Sequence, residues 1–213
     1  MKKLDGKVCL ITGGAGSLGA AAARLFIEQG AAVVLVDRDA ERLNEVARDL
    51  PQERVATIVA DVASAEGAVR LCRLSRSQRF GAIDVLFSNA GNFGTVRPIA
   101  DYPDDVFGEV LSVHVRGAYL AAKHAAPHMR TGGSIVITSS VAGVRGDAGV
   151  YAYITAKHAQ VGTDAMPGEG ACAARHPREH HPPRPDRQRL SARGGAGGSA
   201  MPWVSTAPRS STT

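Results

Sequence analysis

Long apolar runs are missing from this 213-residue chain. None approaches the ~20 residues that a helix needs to cross a bilayer, which argues against a spanning helix, and no membrane partner is expected. Val8–Thr12, behind Lys2 and Lys3, is too short for the core of a signal peptide, and glycines follow it. Cysteine is scarce too. Cys9, Cys72 and Cys172 are odd in number and form no C-x-x-C pair, which argues against a disulfide framework or a structural zinc site. Such usage fits a reducing cytoplasm. The net charge is +5, but seven Arg and four acidic residues between Asp164 and Thr213 supply +3 of it. Charge confined to one tail is poor support for nucleic-acid binding, and no nucleic-acid partner is expected.

What the chain does have is alternation. Val8–Thr12 is a short apolar run ending at glycines, the pattern of a strand buried on both faces. Leu18–Gln29, rich in Ala and Leu, predicts a helix that Gly30 stops. Ala32–Val36, Val55–Ala60, Ile83–Ser88 and Ser134–Thr138 read as further strands. Ala40–Leu50, Ala65–Arg79 and Pro103–Met129 read as helices, the last weakened by Pro127, and Tyr151–Gly162 opens another. Alternation of this kind predicts an α/β fold: a Rossmann-like, doubly wound parallel sheet with helices on both faces.

The turn after the first strand carries the strongest motif. Gly14, Gly16 and Gly19 satisfy G-x-G-x-x-G between a predicted strand and a predicted helix, and Asp37 ends the second strand. Glycines let the backbone approach a pyrophosphate, and the helix N-terminus offers unpaired N–H groups with partial positive charge. The bland alternative is a tight turn without a ligand. An acidic residue at Asp37 would accept hydrogen bonds from the adenosine ribose and repel the extra phosphate of NADP, so NAD is the expected cofactor and NADP the lesser alternative. Arg38, next in the chain, could soften that preference.

From about Leu4 to Gly162 these motifs resemble the short-chain dehydrogenase/reductase (SDR) family. The family's T-G-x-x-x-G-x-G is matched by Thr12, Gly13 and Gly19, with Ser17 in place of a glycine. Asp61 and Val62 match a pair that contacts adenine in the family. Ser88-Asn89-Ala90-Gly91 resembles its N-N-A-G, and Tyr153-Ile-Thr-Ala-Lys157 its Y-x-x-x-K, with Ser140 at the position of a catalytic serine. The resemblance implies a hydride transfer between a nicotinamide cofactor and a small-molecule secondary alcohol or ketone, in a homodimer or homotetramer. It implies cofactor contacts from Gly13, Gly14, Gly16, Ser17, Leu18, Gly19, Asp37, Arg38, Asp61, Val62, Asn89, Ala90, Gly91, Tyr153 and Lys157.

The chemistry has a physical basis. Tyr153 and Lys157 are four apart on a predicted helix and so share a face. A free tyrosine, with a pKa near ~10, is a poor base at neutral pH; an adjacent ammonium favours its phenolate. Ser140 would hold the substrate oxygen against Tyr153, and the resemblance implies that Lys157 also contacts the nicotinamide ribose. His114 stands where the family carries an asparagine that helps hold a water linking the lysine to solvent. The imidazole titrates near neutrality and could relay protons, or could disturb that water. Slowed proton exchange without loss of cofactor binding is the expectation. His124 and His128 are also four apart, but no third ligand is near and a solvated face is the expectation, with no metal.

Two segments are expected: 1–162, an incomplete dinucleotide-binding domain, and 163–213, a Pro/Arg/Gly-rich tail. From Asp164 onward seven prolines occur, and Leu190 and Val204 are the only Leu, Ile, Val or Phe residues. Such a segment buries too little apolar surface to offset ordering and is expected to be disordered. The last strands of the family fold are not visible in it. Codons can be chosen for Thr163–Ser191 such that dropping the first base yields a peptide resembling the missing family segment, so a single-base frame change near Gly162 is the reading of the tail. The alternative function is a catalytically impaired relic that still binds a dinucleotide.

Overall fold

Every strand expected from a short apolar run is present in one sheet of the computed structural model, which describes residues 2–67, 69–71 and 80–163. The strands are β1 (Val8–Thr12), β2 (Ala32–Asp37), β3 (Val55–Val59), β4 (Ile83–Ser88) and β5 (Met129–Ile137). All pairs are parallel and the order is β3-β2-β1-β4-β5. The apolar runs are continuous because both faces are covered. Leu10, Val34, Val36, Ile58 and Leu86 pack into a core on one side. Cys9, Ile11, Val33 and Leu35 pack into the other core. Burial pushes the Cys9 thiol up to about 12, with Asp84 acting in the same direction, so at neutral pH it remains a small apolar filler.

The helices are α1 (Ser17–Glu28), α2 (Ala40–Arg48), α3 (Asp104–Leu111), α4 (Gly117–Ala125) and α5 (Tyr151–Gly162). Residues 65–67 and 69–71 are also helical. The rest of the helix expected over Ala65–Arg79, and the tail from Asp164, lie outside the described residues. Helix α2 starts where Asp39 accepts the Arg42 N–H at 3.1 Å, with Glu41 in its first turn and Arg48 in its last, as the helix dipole favours. Helix α5 packs on α3 through Ala152 and Ala156 against Val110.

Two expectations need correction. The single helix over Pro103–Met129 is instead α3 and α4 joined by a π turn at Ser112–Arg116, where Gly117 N–H reaches back five residues to Ser112 O. It ends at Ala125, passes through a 3-10 turn at Ala126–His128, and Pro127 is the reason: it has no N–H to continue the ladder. Strand β5 then begins at Met129 rather than Ser134. Its register slips between the Ile83–Met129 and Val85–Ser134 pairs, with Gly132 at φ +80°. The polar stretch Arg130–Gly133 has no alternation to announce a strand. It is held by charge: the Asp84 carboxylate, 4% exposed, accepts Arg130 Nη1 at 2.6 Å, Lys7 Nζ at 3.2 Å and Val8 N–H at 2.9 Å.

Candidate active site

Strand β1 lies between β2 and β4, so the chain reverses direction across the sheet at the C-terminal end of β1. Open α/β sheets offer a crevice at such a point. Here it encloses about 290 Å³ and is walled by the ends of four strands: Gly13 after β1, Val36 to Arg38 at β2, Ala60 to Val62 after β3, and Asn89 to Asn92 after β4. Its floor includes Gly16, Ser17 and Leu18 at the start of α1.

The glycines divide the work. Gly13 takes φ +68°, and a Cβ there would lie 2.8 Å from Ala90 Cα. Gly14 does not line the crevice; a Cβ there would lie 2.9 Å from Leu35 Cβ, so it sets the approach of the loop to β2. Gly19 also sits behind the crevice, where a Cβ would strike the Gly13 carbonyl. Helix α1 can therefore start close under the loop. Its first turn carries neither a capping side chain nor a carboxylate, which leaves its amides and positive dipole end facing the crevice. That is an environment suited to a diphosphate, and the residues present fit a dinucleotide there.

Side chains fix the loop. Asp37 Oδ2 accepts Ala15 N–H at 3.1 Å, and Oδ1 accepts Asp39 N–H at 3.2 Å. Arg38 lies 3.7 Å from Glu109 and both are exposed. Thr12 Oγ1 accepts the Asn89 and Ala90 N–H groups at 3.0 and 3.1 Å. Asn89 Nδ2 donates to Thr12 O at 3.3 Å, while its Oδ1 accepts from Thr138 Oγ1 at 3.2 Å. Asn89 thus ties the ends of β1, β4 and β5 together.

A second cluster adjoins the Asn92 wall. The buried His114 ring presses on Gly91, and its Nε2 lies 2.7 Å from Asn92 O and 3.1 Å from Asn92 N. Its Nδ1 is buried without a hydrogen-bond partner among the described residues. Burial holds the imidazole below the ordinary histidine value; the Asn92 main chain opposes this, and the Lys157 charge reinforces it. The ring meets Tyr153 edge-on, with centroids 5.6 Å apart. Phe93 covers Tyr153 from another side at 5.3 Å. Lys157 Nζ lies 5.4 Å from the Tyr153 ring centroid and donates to Thr138 O at 2.7 Å and Gln160 Oε1 at 2.9 Å. Lys157 is 4% exposed, and that burial lowers it to about 8. Ser140 caps the short turn Val141–Gly143, its Oγ accepting Ala142 N–H at 3.2 Å, which leaves its own hydrogen to donate. Ser139 Oγ donates to Lys157 O at 3.3 Å and so fastens this turn to α5.

Of the residues singled out from sequence, Tyr153, Lys157 and His114 meet in one cluster, and Ser140 sits on a turn packed against the same helix. Gly13, Gly16, Ser17, Leu18, Asp37, Arg38, Asp61, Val62, Asn89, Ala90 and Gly91 line the crevice. Val36, Ala60, Asn92 and Val113 also line it and were not singled out. The first three adjoin motif residues in the chain, which is the signal that could have found them. Val113 comes from the π turn and adjoins His114, a residue that the sequence did single out.

A family model described as short chain dehydrogenase matches residues 7–166. The chain is 39% identical over 166 residues to a (+)-cis,cis-nepetalactol synthase of Nepeta racemosa, covering 76% of this chain and 61% of that protein. It is 39% identical over 163 residues to short-chain dehydrogenase reductase 3a of Arabidopsis thaliana, covering 75% and 63%. It thus spans less than two thirds of the length of these relatives. Among solved structures, an NAD+-bound xylitol dehydrogenase matches with a TM-score of 0.74 at 37% identity, over 76% of this chain and 64% of the other.

Proposed function

The chain belongs to the short-chain dehydrogenase family, and from that premise we propose that it is an NAD-dependent oxidoreductase acting on a secondary alcohol or ketone. One observation carries this reading. His114 borders the Gly91–Asn92 wall of the crevice and meets the ring of Tyr153, so one bound molecule would lie in the crevice and end beside the phenol. The chemistry a nicotinamide dinucleotide supplies when bound is acceptance and return of a hydride.

The chain's own residues do the rest. The α1 amides and the glycine loop bind diphosphate. The Asp37 carboxylate favours ribose hydroxyls over a phosphate, and the solved xylitol dehydrogenase relative being NAD+-bound agrees with that preference. Ser140 orients the substrate oxygen with its free hydroxyl hydrogen. Tyr153 gives or takes the proton at its Oη. Lys157 brings a positive charge that favours the phenolate. The buried, unpaired Cys9 suits a reducing compartment, and we assign the protein to the cytoplasm on that basis. No helix among the described residues is long and apolar enough to cross a membrane.

The test is reduced-nicotinamide absorbance with a panel of secondary alcohols and ketones. We expect NAD-dependent turnover that falls by about 10²–10⁴-fold in Tyr153→Phe, the range that general acid–base catalysis supplies. Thermal stabilisation by NAD with no turnover across the panel would contradict the oxidoreductase reading and leave a dinucleotide binder.

A further inference from the structure

Gln160 is polar, 5% exposed and absent from the mechanism above. It lies three residues beyond Lys157 on α5, in the stripe of Ala152 and Ala156 that faces inward. A buried carboxamide is costly unless both of its ends find partners. Here both do. Oε1 accepts from Lys157 Nζ at 2.9 Å, and Nε2 donates to the His114 main-chain carbonyl at 3.0 Å. The amide therefore spans from the lysine to the π turn Ser112–Arg116, 46 residues away in the chain.

We propose that Gln160 is a positioning residue for Lys157: anchored on the His114 carbonyl, its carboxamide holds the lysine ammonium between Thr138 and the ring of Tyr153. The proposal rests on the roles given above to Tyr153 and Lys157. A lysine on a flexible stem loses rotamer entropy when fixed, so a charge that must stay at one point needs acceptors to hold it. Among the described residues, Thr138 O and Gln160 Oε1 accept from Lys157 Nζ, which has three N–H donors.

The choice of an amide matters. A carboxylate would hold the ammonium and also cancel its field at Tyr153. A hydrocarbon would hold nothing. A carboxamide fixes the charge and leaves it whole. An amide also exchanges protons poorly, so on this side Lys157 is a held charge with no proton outlet.

The titratable groups recorded around the ammonium are Tyr153, across the ring contact, and His114, whose imidazole feels the Lys157 charge. No carboxylate pairs with Lys157 among the described residues. The readout is the Lys157 side-chain resonance in the full 213-residue protein, assigned with Lys157→Met and followed against pH without cofactor or substrate. The midpoint of the unaltered protein is expected at about 8, lowered by burial. Gln160→Leu, which removes an acceptor of the charged form, is expected to move it down by about one unit. Gln160→Glu, close in size to the glutamine, is expected to move it up by about one unit or more. The opposite signs matter, because loosened packing alone would not produce them. An unmoved midpoint in Gln160→Glu, or shifts of the same sign in both variants, overturns the proposal. Because neither NAD nor substrate is present, a protein without turnover that shows the shifts sinks the oxidoreductase reading and leaves this inference standing.

Discussion

The Asp37 carboxylate accepts the Ala15 N–H on one oxygen and the Asp39 N–H on the other, and it faces the crevice with its charge. The first role belongs to geometry and the second to recognition, and a neutral isostere separates them. Asp37→Asn keeps an oxygen for the loop and removes the charge that repels a ribose phosphate. Its ratio of NADP to NAD dissociation constants, measured by calorimetry, is expected to narrow by about tenfold, equivalent to about 1.4 kcal/mol. An unchanged ratio would place the preference elsewhere. Asp37 and the glycines were legible in sequence because few residues tolerate their positions. Gly13 needs a left-handed backbone, and Gly19 has no room for a Cβ beside the Gly13 carbonyl. Gln160 was not legible. Its partners are a main-chain carbonyl in a distant π turn and a lysine amine, and neither leaves a trace in spacing or hydropathy.

Among the elements, the strands could be read because a parallel sheet covered on both faces demands continuous apolar runs, as Val8–Thr12 and Ala32–Val36 supply. The start of β5 could not be read, because Arg130–Gly133 is kept in place by an ion pair and a register slip. The π turn was equally hidden, since one widened turn does not alter the pattern of apolar residues. Asp84 is the hinge of this end of the sheet, joining β1, β4 and β5 through a main-chain amide and two cations. Lys7 and Arg130 are about half exposed, so water can take them back when the carboxylate is removed. The Val8 N–H has no such recourse. Asp84→Ala is expected to cost about 1–3 kcal/mol, the penalty for an unpaired buried donor, read as a lower urea midpoint. A change below about 0.5 kcal/mol would show that the clamp contributes little.

At the scale of the whole molecule, the described residues include fifteen that line the crevice and the Tyr153–Lys157 cluster, although the chain spans 61% and 63% of the two curated relatives. Among the described residues, those that line the crevice all fall between Gly13 and Val113 in the chain. Most stand on or beside strand ends that share one sheet, with Gly16, Ser17 and Leu18 at the start of α1 and Val113 drawn from the π turn. Dinucleotide binding is the property on which the proposed hydride chemistry depends. The most direct measurement is calorimetric titration of NAD into the purified 213-residue protein, with Gly19→Ala as its control. The account predicts one NAD site per chain, lost in Gly19→Ala because the added methyl pushes α1 away from the glycine loop. A folded protein, verified by circular dichroism, that takes up no NAD would contradict it.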